Sequence, residues 1–113
     1  ILGFQLAHLG INEESQDKAL GSANLLSRIF YFPVKEGNSS VFAGSGFEVM
    51  KNKYLGSHGH IALSTNDITR AIAYLKRKGI AVLAETAKES DGKLKAIYLD
   101  QEVSGFAIHL LQK

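Results

Sequence analysis

Leu6-Ala7-His8-Leu9-Gly10-Ile11-Asn12 and His58-Gly59-His60-Ile61-Ala62-Leu63-Ser64 are two renderings of one phrase, with His8 and His60 in register. An internal repeat dictates architecture before any local signal does. Each phrase leads into a polar capping region and then a helical stretch. Each half also closes alike, on Gly46-Phe47-Glu48-Val49-Met50 and on Gly105-Phe106-Ala107-Ile108-His109-Leu110. The join falls near 53–57. The 113 residues therefore divide into module one, about 1–55, and module two, about 56–113. Units of that size bury too little surface to be comfortable alone. One domain over 1–113, with a shared core, is expected.

In module two, Ile68, Ala71, Ile72 and Leu75 fall on one face of a 3.6-residue period. Thr65 or Asn66 is the expected N-cap, and Asp67 suits the positive helix end. Lys76-Arg77-Lys78 followed by Gly79 marks the close. In module one Ala19, Ala23, Leu26 and Phe30 make a matching stripe, with Ser15 as cap and Pro33 as stop. Strands are expected near 4–12, 33–36, 39–43, 46–51, 58–64, 80–84, 93–99 and 105–112. Asn38 and Asp91-Gly92 supply turn chemistry. The order is βαβββ, twice, which predicts an α+β fold: two modules forming a curved, cup-shaped mixed sheet with helices outside.

Composition removes several function classes. With 13 basic and 11 acidic residues, the net charge of +2 leaves no dense basic face for nucleic acid. The absence of cysteine excludes disulfides, thiolate metal sites and cysteine nucleophiles. No apolar run approaches the roughly 20 residues of a membrane span, and no secretory signal is visible. No membrane partner is expected, and the cytoplasm is the expected location.

Alternation within the strands points to chemistry. Opposite His8 stand Ala7, Leu9 and Ile11; opposite His60, Ile61 and Leu63; opposite Glu48, Phe47 and Val49; opposite His109, Phe106, Ile108 and Leu110. The apolar faces can pack on helices, which leaves His8, Glu48, His60 and His109 sharing the other face. Imidazole and carboxylate are good donors for a divalent ion such as Zn, Ni, Mn, Co or Fe, with one or two positions left open for substrate. Tyr98 lies opposite Ile97 and Leu99 and can point into the cup. Lys51 and Lys95 are further candidate substrate contacts. His58 shares the face of His60 by spacing and is read as a site-rim residue and candidate substrate contact, or as a simple surface residue. Gly44-Ser45-Gly46 leads into a strand rather than a helix, so it is a turn and not a phosphate loop.

The whole chain resembles the vicinal oxygen chelate superfamily, the group of glyoxalase I, fosfomycin-resistance proteins, extradiol dioxygenases and bleomycin-resistance proteins. Paired βαβββ modules carry the likeness, with His8 opening the first, Glu48 closing it and His60 opening the second. The resemblance implies metal ligands at these positions and a substrate that chelates the metal through adjacent oxygens. The closing phrase resembles the family's Gly-x-x-Ile-Glu-Leu ending, with His109 where the family usually has Glu. A narrower likeness runs through Val34-Lys35-Glu36-Gly37-Asn38-Ser39-Ser40-Val41-Phe42-Ala43-Gly44, Gly59-His60-Ile61-Ala62 and Lys95-Ala96-Ile97-Tyr98-Leu99. These stretches look like a glyoxalase-like module found with bacterial 2-keto-4-hydroxyglutarate/2-keto-3-deoxy-6-phosphogluconate aldolases, which implies association with an aldolase domain. The start at Ile1, without Met, is what an excised domain would show. The expected function is a metal-dependent lyase or isomerase of the glyoxalase type, acting on a small oxo-substrate with Glu48 as proton-transfer base. The alternative is a non-catalytic small-ligand or accessory module. Superfamily members often pair and an exposed sheet edge invites it, so a homodimer is compatible with both.

Overall fold

The two phrases become the two central strands. The computed structural model describes residues 1–113. Its elements are β1 (Gln5–Asn12), α1 (Gln16–Phe30), β2 (Val34–Glu36), β3 (Ser40–Ala43) and β4 (Phe47–Met50), then β5 (Gly59–Thr65), α2 (Ile68–Arg77), β6 (Val82–Ser90), β7 (Lys93–Val103) and β8 (Phe106–Gln112). They form an 8-stranded sheet in the order β2-β3-β4-β1-β5-β8-β7-β6. β1 and β5 pair antiparallel at the centre. Each pairs in parallel, on its other side, with the last strand of its own half, β4 or β8. The half-sheets are thus arranged symmetrically about the β1–β5 seam. This is the α+β architecture of two βαβββ units with helices outside the sheet.

Each helix covers the apolar face of its own half. Ala19 and Ala23 of α1 are buried against Val41, Ala43 and Val49, with Ile11, Leu20, Leu26 and Phe47 around them. Small residues on α1 let the helix approach the sheet closely. Ile68 and Ala71 of α2 meet Ile97 and Leu110, flanked by Leu2, Ile72, Leu75 and Val82. Fully burying a side chain such as Leu110, Val41 or Val49 stabilises by roughly 1.5–3 kcal/mol each.

Several local expectations shift. Ser15 caps α1 as expected, its Oγ accepting from the Lys18 N–H at 3.2 Å. The α2 cap is Asp67, whose Oδ1 accepts from the Arg70 N–H at 3.0 Å. Thr65 is occupied elsewhere, donating to the Leu2 carbonyl at 2.7 Å. α1 stops before Pro33, at Tyr31, which turns left-handed with φ 62° and donates to the Ser27 carbonyl. Phe30 is therefore not in the stripe; it is 57% exposed and stacks on Phe32. In β1 a bulge between Leu6 and His8 breaks the expected alternation, so that Leu6 pairs with Leu63 while His8 pairs with Ala62.

The largest departure is at β6 and β7, which extend well beyond 80–84 and 93–99. Asp91 and Gly92 join them with φ of 55° and 73°, the left-handed pair of a tight hairpin turn. Ser104 and Gly105 (φ 50° and 83°) do the same between β7 and β8.

Candidate metal centre

His8, Glu48 and His60 reach the cup face from β1, β4 and β5, and their ligand atoms lie within 4.8 Å of one another. His8 Nε2 is 3.1 Å from Glu48 Oε1. His60 Nε2 is 3.2 Å from the same oxygen. The two Nε2 atoms are 3.2 Å apart. The three donors thus form a nearly equilateral triangle. Metal bonds of about 2.1 Å give donor spacings of about 3.0 Å on an octahedral face and about 3.4 Å on a tetrahedral edge. The observed edges lie between these values. Two imidazole nitrogens and one carboxylate oxygen on one triangular face, open on the other side, are the donor set of a two-His, one-carboxylate site. The residues present therefore fit a divalent ion.

The backbone register explains the triangle. Gly10 pairs with His60 across the seam and with Glu48 on the other side. It lies between them on the cup face and has no side chain. A Cβ at Gly10 would fall into the His60 ring, overlapping Cε1 and Nδ1. His60 thus leans across Gly10 toward Glu48 and is 2% exposed. The second half repeats the arrangement with different residues. Ala62, two on from His60, pairs with His8 on one side and His109 on the other. By register, Ala62 is the counterpart of Gly10 and His109 the counterpart of Glu48.

Glu48 is held ionised. Burial pushes its carboxyl up, but hydrogen bonds from His60, His8 and Ser40, with the His8 charge, outweigh it and hold the group well below the usual carboxylate range. The Ser40 hydroxyl donates to Oε2 at 2.7 Å and is itself 6% exposed. Phe42 closes the side of His8, with ring centroids 5.6 Å apart.

His109 stands beside this triangle and is not one of its three corners. Its ring lies flat on Tyr98, with centroids 4.1 Å apart at 6°, and edge-on to His60 at 5.6 Å. Burial, then the neighbouring His60 and His8, lowers it to about 4, so it is neutral near pH 7. Its Nδ1 is buried without a hydrogen-bond partner. Burial, then the Glu48 charge and Tyr54, raises the Tyr98 hydroxyl well above its usual range. Tyr54 packs edge-on to Tyr98 at 5.5 Å.

The structure brings Tyr98 to the site but not Lys51 or His58. Lys51 Nζ donates to Glu36 Oε2 at 2.7 Å and to the Gly37 carbonyl at 2.9 Å, tying the β2–β3 hairpin. His58 precedes β5, is exposed, and rests against Phe106. A cavity of about 310 Å³ opens over Glu48, His60, Tyr98 and His109, with Ser39, Met50, Tyr54, Thr86 and Lys88 completing its wall. The expected site set included neither Gly10 nor Ser40, Thr86 and Lys88. Ser40 had a signal in its alternation with the core-facing Val41 and Ala43 along β3; the others had none.

No protein-family model matches the chain, and no curated protein matches it by sequence. Solved structures match its fold. A hypothetical protein from Bacillus halodurans C-125 superposes with a TM-score of 0.68 at 16% identity, over 98% of this chain and 95% of that one. Methylmalonyl-CoA epimerase of Streptomyces coelicolor, as a variant in complex with 2-nitronate-propionyl-CoA, gives 0.67 at 18%, over 96% and 94%. The epimerase of Mycobacterium tuberculosis gives 0.63 at 14%, over 95% and 86%. What this chain shares with them is the fold.

Proposed function

We propose that the cup is a metal-dependent isomerase or lyase centre of the glyoxalase type, acting on a small oxo-substrate. The observation that carries this reading is the triangle of His8 Nε2, His60 Nε2 and Glu48 Oε1, open toward the cavity. A divalent ion held there would polarise a substrate carbonyl and acidify the adjacent carbon. The likeness to epimerase structures is compatible with proton-transfer chemistry of this kind.

The chain supplies the proton handling. Glu48 would hold the ion through Oε1, together with His8 and His60. Its Oε2, still anchored by Ser40, is then the atom placed to take up a proton. His109, at the equivalent register position of the other half, is a neutral imidazole with a free Nδ1. Two proton-handling groups on opposite sides of the seam suit removal of a proton from one face of a carbon and its return to the other. Tyr98 keeps the His109 ring flat against the wall and does not ionise in this range.

The test is a thermal melt with Ni²⁺, Zn²⁺, Mn²⁺, Co²⁺ and EDTA, run on the native chain and on His60→Ala. A ligand that binds only the folded state raises Tm. The native chain should respond to at least one ion and His60→Ala to none. A native Tm indifferent to every ion refutes the metal centre and favours a metal-free binding module. Full metal content in His60→Ala refutes the ligand assignment.

A further inference from the structure

We propose that Lys88 anchors an anionic group of the substrate, so that the cup selects a small oxo acid carrying a second negative charge remote from the reacting carbonyl. The inference rests on the metal-centre reading and adds the substrate class to it. Lys88 is the one cation in the wall of the cavity. Lys18, Lys51 and Arg70 pair with carboxylates, whereas Lys88 has no such partner. Register puts it on the working face. Lys88 pairs with Ala96, two residues from Tyr98 on β7, and Tyr98 pairs with His109 on β8. Its charge is felt at the site, since it adds to the forces that keep His109 neutral.

The local backbone is built to place it. From Leu83 to Lys88, β6 advances five residues while its partner β7 advances two, from Tyr98 to Ala96. The surplus is a bulge, a device that re-aims side chains beside functional sites. Thr86 pins it: its Oγ1 accepts the Tyr98 N–H at 2.9 Å and donates to the Leu83 carbonyl at 2.7 Å. The bulge lies between the Leu83–Tyr98 pair and Lys88, which falls opposite Ala96. Charge counting agrees. A divalent ion, the Glu48 carboxylate and the Lys88 ammonium sum to two positive charges, which a dianion neutralises. The anion is a carboxylate or a phosphate; the ammonium binds either as a point charge.

The test uses the full chain, metal-free and loaded with Co²⁺, with calorimetric titration of three probes. 2-Oxoglutarate and 2-oxopentanoate have the same five-carbon skeleton and differ in the distal carboxylate. 2-Oxo-4-phosphonobutyrate replaces that carboxylate by a phosphonate. The native chain should bind a doubly anionic probe roughly tenfold more tightly than 2-oxopentanoate, the scale of one charge-assisted hydrogen bond. Whichever dianion binds better identifies the source of the anion. Lys88→Gln should erase the preference and Lys88→Arg should keep it, both with the native Co²⁺ spectrum in the absence of probe. Equal affinities in the native chain, or a preference that survives Lys88→Gln, overturn the proposal. If Co²⁺ does not bind, the metal reading fails by itself, and the metal-free titrations still decide the role of Lys88.

Discussion

Gly10→Ala asks whether one missing methyl group builds the metal centre. Gly10 has an ordinary strand conformation with no positive φ, so the backbone accepts Ala and the effect isolates sterics. The added Cβ would sit 2.5 Å from His60 Nε2 and closer still to Cε1 and Nδ1. Carbon contacts settle at about 3.5–4.0 Å, so the ring must retreat by at least about 1 Å. His60 is 2% exposed and has little room to do so. Overpacking of this kind costs about 1–3 kcal/mol, or roughly 4–12 °C of Tm in a chain of this size. Metal binding should suffer more, because donor positions are tolerated only within about 0.2 Å. A loss of about 100-fold in affinity is expected. At an ion concentration 100 times the native Kd, the native chain gains about 2.7 kcal/mol from binding, and the variant would gain only about 0.4 kcal/mol. The assay is a pair of melts per protein, with EDTA and with metal. Gly46→Ala is the control, because a Cβ there meets nothing within 4 Å. If Gly10→Ala keeps the native metal-induced rise in Tm, the steric account of the triangle is wrong.

Acid should weaken the metal-free protein in two stages. His109 is about 4 in the fold against 6.5 ordinarily, so protons bind the unfolded chain first, and stability falls as pH drops from about 6.5 toward 4. The loss is bounded at about 3 kcal/mol. Glu48, held low, contributes stability that is present above about 4.5 and disappears as pH falls further. His109→Asn should flatten the first stage and leave the second; an unchanged profile from pH 7 to 4 would rule out this assignment. Thr86→Val keeps the shape of the side chain but strands the buried Tyr98 N–H. It should cost about 1–3 kcal/mol in chemical denaturation, with Thr86→Ser near native. A stable Thr86→Val would mean that the β6 bulge does not depend on that hydroxyl.

Legibility in the sequence followed the presence of a side-chain pattern. His8, Glu48, His60 and His109 could be placed on one face because each has apolar or glycine neighbours on either side in its strand, and the bulge of β1 lies before His8. Tyr98 followed for the same reason. The length of β6 could not be read, because Ala84-Glu85-Thr86-Ala87-Lys88-Glu89 is mostly exposed, borders the sheet and shows no alternation. The bulge inside it also changes which residues face the cup, which put Thr86 and Lys88 beyond any period-2 argument. Lys51 failed differently. Its position in the chain was read correctly, but a face does not reveal a partner, and Glu36 on the next hairpin takes the ammonium.

The deeper limit concerns symmetry. The repeat implies two equivalent half-sites, and the register delivers them: His8 with His60, Gly10 with Ala62, Glu48 with His109. Nothing in the repeat says that they behave alike, and the two differences act together. At the first half-site the missing side chain of Gly10 lets His60 lean over to a carboxylate, which gathers a charged, metal-ready triangle. At the second, the Ala62 methyl stands between His8 and His109, and the residue beyond it is an imidazole made neutral by burial and stacked on Tyr98. On the proposed function, this one pair of substitutions separates a site for holding a cation from a site for handling a proton. A residue with no side chain leaves no trace in a hydrophobic pattern, so Gly10 could be recognised only once the strands were paired.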